Sequence, residues 1–324
     1  MRVGARSAIT AAEICLLLGV VPIALIIPGN DMAFSPSGTR SQVPLYTAID
    51  LHPSGFISSG AFGVSGGQQV GEGTTEDGLG HALLWHGSAA SVVELVSGRE
   101  VEATATCGGQ QVGHGDRYSY WHALLWRGSA GSVVDLNPSG FTSSEALGTS
   151  GLEQVGFGIP ATGGGHALLW HGSADSVVDL NPNGFVGSRA LGASGREQVG
   201  WGAIKVDIPE ALGMTHHALL WHDSAESVVD LTPPGFIDSQ ATSTYGGQQV
   251  GSGYSLRTGT MHALLWRGSA ASVVDLGSGS IAKGTNGKEQ VGWANDHAVL
   301  WRGSAGRMVD LHAFLPPGFA QSWT

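Results

Sequence analysis

The chain has 324 residues and a formal net charge of −11, with 15 Lys plus Arg against 26 Asp plus Glu. Phosphate backbones are held by clustered Lys and Arg, and here Lys205, Lys283 and Lys288 stand alone among scattered Arg, which argues against a nucleic-acid partner. A hydrophobic content of 42% with 13% charged residues excludes a disordered chain, and Cys15 and Cys107 are too few for a disulfide framework. Glycine is abundant, at 52 residues, without a Gly-X-Y period, which points to many tight turns and not to collagen.

The first thirty-odd residues differ from the rest. Arg2 and Arg6 precede an apolar run from Ile14 to Ile27, the order of an export signal. As a helix this run spans roughly 21 Å at ~1.5 Å per residue, short of the roughly 30 Å hydrocarbon layer. Residues 1–35 are therefore expected to be a signal peptide or an N-terminal membrane anchor, with contact to a membrane through this segment alone. Glu13 at its border and Pro22 within it keep both readings open.

Internal repeats set the expectation for residues 36–324. His-Ala-Leu-Leu-Trp begins at His81, His122, His166, His217 and His262, and His-Ala-Val-Leu-Trp begins at His297, a mean period of about 43 residues. Each copy is preceded by Gln-Val-Gly, with the valines at Val70, Val112, Val155, Val199, Val250 and Val291. It is followed by a segment ending at Leu95, Leu136, Leu180, Leu231, Leu276 or Leu311. No apolar stripe at helical spacing occurs; the unit reads as short strands between turn residues. In the third unit the pattern places strand A at Ser144–Thr149, strand B at Glu153–Phe157, strand C at His166–His171 and strand D at Ser176–Leu180. Gly151 and Gly172 fall in the turns between them. Four strands in such a period match one propeller blade, so the expectation is an all-β, six-bladed β-propeller of four-stranded antiparallel blades. A further D-like piece, Tyr46–Leu51, precedes the first unit. The tail Pro316–Thr324 supplies only the start of a strand A, which favours six blades over seven.

The units resemble the HAF repeat family of extracellular bacterial repeat proteins, in which a His-Ala-Phe-aromatic strand is followed by an Asp-Leu strand and a Gly-rich stretch ending in Val-Gly. The likeness runs from about Tyr46 to Phe319. Leu83, Leu124, Leu168, Leu219, Leu264 and Val299 stand where the family usually has Phe, and the literal His312-Ala313-Phe314 is out of register. The resemblance implies export, to the cell envelope or the exterior, and a propeller-like form. It implies no reaction and no cofactor.

Thirteen His invite a metal hypothesis, but six of them open strand C, once per blade, too far apart to share an ion at ~2 Å. A structural role is expected for His81, His122, His166, His217, His262 and His297, each hydrogen-bonded to Glu94, Asp135, Asp179, Asp230, Asp275 or Asp310, and no metal is expected. In an extended strand His81, Leu83 and Trp85 point one way and Ala82 and Leu84 the other, so both faces are built to pack. The repeated Trp85, Trp126, Trp170, Trp221, Trp266 and Trp301 read as packing residues before sugar platforms.

Function is expected where the units differ, in the B–C loops on one rim, which hold 9, 8, 9, 16, 10 and 4 residues between Val-Gly and His. Candidate ligand contacts are Asp116, Arg117, Tyr118, Tyr120 and Trp121 in the second loop and Tyr254 and Arg257 in the fifth, since aromatics and Arg favour binding surfaces. The fourth, Trp201–His216, is longest and adds Lys205, Asp207 and Glu210. The reading is an exported binding or structural module for a protein or glycan ligand. The alternatives are a carbohydrate-binding propeller and an exported lyase or hydrolase acting on carbohydrate or lactone bonds. An enzyme would need repeat-breaking His, Glu or Asp to converge near the axis, and His114, His216 and Glu210 are the exceptions in view.

Overall fold

The computed structural model describes residues 14–18, 21–26, 47–117, 120–208, 211–315 and 322. Six four-stranded antiparallel sheets follow one another along the chain, each with strands in sequence order from A to D. Blade 1 comprises Ser58–Ser65, Gln68–Thr74, Gly80–Trp85 and Val93–Gly98, and blade 2 comprises Glu102–Cys107, Gln110–Arg117, Tyr120–Trp126 and Val134–Asp135. Blade 3 comprises Phe141–Thr149, Gln154–Pro160, His166–Trp170 and Val178–Asp179, and blade 4 comprises Gly187–Ser194, Glu197–Ile208, Ala211–Trp221 and Val229–Asp230. Blade 5 comprises Phe236–Tyr245, Gln248–Ser255, Thr260–Trp266 and Val274–Ser278, and blade 6 comprises Ser280–Thr285, Gln290–Ala294, His297–Trp301 and Val309–Asp310. Strand A of each of the first five blades packs against strand A of the next, which places the A strands around the axis.

The period-2 alternation of strand C builds the boundaries between blades. Ala123 and Leu125 of blade 2 join Val112 and Leu136 on one flank, and that flank packs against Ala146, Leu168 and Trp170 of blade 3. The same set recurs between blades 1 and 2, 3 and 4, 4 and 5, and 5 and 6. All six repeated Trp are fully buried. Among the described residues no apolar cluster joins blade 6 to blade 1. Instead Leu51 covers Ala61, Leu83 and Trp85 of blade 1, while Phe314 and Leu315 cover Ala298, Leu300 and Leu311 of blade 6. The expected export segment lies outside the described residues except for Ile14–Leu18 and Val21–Ile26, which pair with each other and, through the second, with Thr47–Asp50. Among the described residues no helix is long and apolar enough to cross a membrane.

Two polar devices lock neighbouring blades. The Gln before each Val-Gly is buried, and in blade 3 Gln154 accepts a hydrogen bond from the Gly172 backbone at 2.8 Å and donates to Gln110 of blade 2 at 2.8 Å. Equivalent links run from Gln111 to Gln68, Gln198 to Glu153, Gln249 to Glu197 and Gln290 to Gln248. A serine at the head of strand A accepts from the previous blade's strand C: Ala123 to Ser144, Ala167 to Ser188, Ala218 to Ser239 and Ala263 to Ser280. For blade 6 this acceptor is Ser322, 2.8 Å from the Ala298 nitrogen.

Strand D is shorter than its sequence pattern suggests, because Ala174–Ser176 form a 3-10 turn. Ser176 Oγ accepts from the His171 backbone and donates to the Ser173 carbonyl, so the chain turns twice before pairing resumes at Val178. Gly172 takes a left-handed φ of 87°, and in blade 4 the equivalent residue is Asp223 at 65°, whose carboxylate accepts from Gln198 and Arg196. The Gly of Val-Gly has a different cause: a methyl at Gly156 would overlap the Glu145 carbonyl of the paired strand A.

The repeated His of blades 2 to 6 bond their acids, whereas in blade 1 His81 Nδ1 lies 3.1 Å from Glu94 without a hydrogen bond and its Nε2 meets Thr75 instead. His166 Nδ1 lies 2.6 Å from Asp179 Oδ2, with equivalents at 2.7 Å in blade 2 and 2.8 Å in blade 6. The Asp179 side chain is 47% exposed, so the pair sits at the blade margin and not deep inside as a buried network would. Removing it with His166→Ala is expected to lower stability by about 1 kcal/mol. Gln154→Leu, which strands the half-buried Gly172 N–H and cuts the link to Gln110, is expected to lower it by roughly 2–3 kcal/mol. Urea unfolding of the two variants checks the ranking.

Candidate functional site

In each blade one cross-strand pair on the inner strands A and B escapes the repeat. The residue before the constant strand-A Ala faces the residue after Val-Gly: Gly60 opposite Glu72, Glu102 opposite His114, Glu145 opposite Phe157, Arg189 opposite Trp201, Gln240 opposite Ser252, and Ile281 opposite Trp293. Directly opposed residues in a ladder share a face, so these pairs form a band near the axis whose composition changes from blade to blade. Ionisable groups crowd its first four members.

The carboxylates of blades 1 to 3 feel one another. Burial, then the charges of Glu72 and Glu145, push the Glu102 carboxyl up to about 7. Burial also raises Glu72, and it raises Glu145 against the opposing pull of Arg189. Burial holds His114 below the usual imidazole range, with Glu100 working the other way, and its Nδ1 stands 3.7 Å from Glu102 Oε1, beyond hydrogen-bond reach. Arg189 closes the series with its guanidinium carbon 3.8 Å above the Phe157 ring.

At the boundary of blades 1 and 2 this band opens onto the B–C rim through a cleft of about 340 Å³. Its walls carry Glu72, Arg99, Glu100, Glu102, His114 and Trp121. Trp121 donates its indole N–H to Glu100 and lies with its ring centroid 6.0 Å from that of His114. Ring orientation is thus fixed from one edge while 43% of the residue remains exposed. Among the described residues no group of His, Cys, Asp and Glu has the arrangement of a metal site.

The sequence-derived candidates are distributed unevenly. Trp121 lines the cleft, and Tyr120 and Asp116 are exposed beside it. Asp116 and Arg117 end strand B and pair with Trp121 and Tyr120 of strand C, so these four sit on a ladder and not in the expected loop, and Tyr118 lies outside the described residues. Tyr254 and Arg257 are exposed on the same rim but in blade 5, and they do not line the cleft. The long fourth connection is a correction to the loop reading. Its residues pair in register from Ala203↔His216 to Ile208↔Ala211, so it is a projecting hairpin. Lys205 is exposed on that hairpin, whereas Glu210 falls outside the described residues. His216 packs against Trp201 at 4.5 Å between centroids and does not join His114. Glu72, Glu102, Glu145 and Arg189 were not singled out as site residues from the sequence. The signal available was positional: reading only the residue after each Val-Gly and the residue before each strand-A Ala isolates the whole band.

The fold and rim define a six-bladed β-propeller with a charged cleft on its B–C face. No family model and no curated protein matches the chain. Among solved structures it is similar to the β-propeller domain of the Trilobed protease from Pyrococcus furiosus, reported to have an open velcro topology. The TM-score is 0.53 at 9% identity, covering 93% of this chain and 90% of that one. It is also similar to the acylaminoacyl peptidase of Pyrococcus horikoshii, with a TM-score of 0.55 and 11% identity over 90% of this chain and 48% of that one. TolB from Acinetobacter baumannii gives a TM-score of 0.50 at 11% identity, over 75% of this chain and 62% of that one. The chain thus spans less than two thirds of TolB and about half of the peptidase, and at these identities the likeness establishes the fold alone.

A group whose carboxyl is raised in the folded state holds its proton more tightly there than in the unfolded chain. Folding is therefore favoured at low pH and weakened as pH rises from the ordinary carboxyl value of 4.5 to about 7. Glu102→Gln removes the ionisation. The variant is expected to melt higher than the parent at pH 8 and to show a flatter dependence between pH 5 and 8, as measured by thermal denaturation across that range.

Proposed function

We propose that the protein is an exported binding module that engages its ligand through the B–C rim of blades 1 and 2, with Trp121 and the acidic cleft at the centre. The observation that carries this reading is the charged cleft at that boundary, walled by Trp121 and set in a face rich in exposed apolar side chains, of which Ile57, Leu79, Tyr120 and Trp121 belong to blades 1 and 2. Eight of the twelve exposed large hydrophobic residues among those described lie on the B–C face: Ile57, Leu79, Tyr120, Trp121, Met214, Ile237, Tyr254 and Leu256. A concave site beside exposed aromatics is the usual make-up of a recognition surface, and here its polar wall is charged. Export rests on the N-terminal sequence pattern and on the resemblance to extracellular HAF repeats.

One observation favours a second reading, an acid–base enzyme. Glu102, its carboxyl pushed up to about 7, would supply a proton at neutral pH beside a second carboxyl, Glu72, the pairing that hydrolases use for acid and base. The two readings part on variants. In a screen of glycan and peptide arrays, Trp121→Ala is expected to weaken capture of any ligand found by at least about tenfold while leaving the melting temperature within a few degrees. Undiminished capture by that variant removes the rim reading. Turnover of an arrayed glycan or lactone that Glu102→Gln abolishes would establish the enzyme instead.

A further inference from the structure

The cleft between blades 1 and 2 holds a charge imbalance that its own side chains leave standing. Three carboxylates, Glu72, Glu100 and Glu102, line it against one guanidinium, Arg99. Glu100 is occupied by the Trp121 indole, but among the described residues neither Glu72 nor Glu102 accepts a hydrogen bond. His114 brings no compensation: burial disfavours its charged form, and its enclosed Nδ1 has no hydrogen-bond partner. Carboxylates close enough for their charges to oppose one another, with no donor between them, are an unfavourable arrangement that an incoming cation relieves.

The surroundings repeat the sign. Exposed Glu76 and Asp77 stand on the B–C connection of blade 1 and exposed Asp116 near the end of strand B of blade 2, and Ile57, Leu79 and Tyr120 are exposed on the same face. A free amine would use the acids and leave this apolar border unspent, whereas a polypeptide covers both. The Trp121 ring, pinned at its N–H edge, presents a face on which an alkylammonium or guanidinium gains a cation–π contact.

Resting on the rim reading above, we infer that the partner is a basic polypeptide segment: one Lys or Arg side chain enters the cleft between Trp121 and the carboxylates of Glu72 and Glu102, and flanking residues lie on the apolar border. Charge complementarity and the mixed acidic and aromatic wall carry the assignment.

The probe is fluorescein-labelled hexaarginine, followed by fluorescence anisotropy on the full chain, with hexaglutamate as the opposite-charge control. Glu72→Gln combined with Glu102→Gln is expected to weaken binding at least tenfold. Asp175→Asn combined with Glu226→Gln, which removes two exposed acids from turns on the opposite rim, is expected to change it less than twofold. Both pairs are close to isosteric, and near-UV circular dichroism confirms that each is folded. Equal weakening by the two pairs would mean that hexaarginine follows net charge alone and would overturn the site, as would an absence of binding by the parent. If hexaarginine fails while an arrayed neutral ligand is captured in a Trp121-dependent way, the rim reading stands and the basic-segment assignment falls. If neither is captured, both fall.

Discussion

The structure depends on one steric fit: the tryptophan that ends strand C of blades 2 to 6, together with the leucine, or in blade 6 Val299, two residues earlier, presses into a hollow made by Ala, Leu, Val and Leu of the blade before it. An indole buries a large apolar area, and the facing side must recede to receive it, which is why alanine holds the second place of every strand C. The same closeness explains the polar conservation within the chain. The two backbone amides after the tryptophan each find a partner inside the protein: the first bonds the turn serine, and the second bonds the buried glutamine, which also ties one sheet to the next.

Because that scaffold is met six times over, it was legible from the residues alone. A period of two in His-Ala-Leu-Leu-Trp forces opposite flanks, and a repeat of some 43 residues leaves room for four strands and no helix. The glutamine was visible as a repeated letter without a visible purpose, since its partner stands 44 residues away in the preceding blade. What could not be read was the band of inner pairs. Glu102 and His114 are twelve residues apart, and Glu72 and Glu145 reach Glu102 from the blades on either side; only the ladder and the ring bring them within range. The length of the fourth connection was likewise plain from the sequence. Its conversion into a ladder was not, because Ala203 to Ile208 lacks the repeat pattern that marked the other strands.

The ring is chemically lopsided. On its inner band carboxylates occupy blades 1 to 3, a stacked guanidinium marks blade 4, and uncharged Gln240, Ser252, Ile281 and Trp293 fill blades 5 and 6. A scaffold of equal units thus presents one electrically distinct sector, and the exposed aromatics of the second B–C connection stand over that sector. Substitutions at the paired inner positions are free to alter chemistry, since the flanks that hold the blades together use other residues of the same strands.

The covering of blades 1 and 6 has a thermodynamic corollary. Every apolar cluster among the described residues joins sequence neighbours, so the propeller behaves energetically as a linear array of sheets, with stability summed over adjacent couplings, although its outline is circular. Interior members are clamped from two sides by full sheets. Blade 1 is clamped on its outer side by the three-stranded sheet of Ile14–Leu18, Val21–Ile26 and Thr47–Asp50, and blade 6 by Phe314 and Leu315, both smaller covers than a whole blade, which makes these members the first to exchange their amide hydrogens. The acidic cleft lies beside one of these terminal members, so ligand capture there is coupled to the softest part of the array.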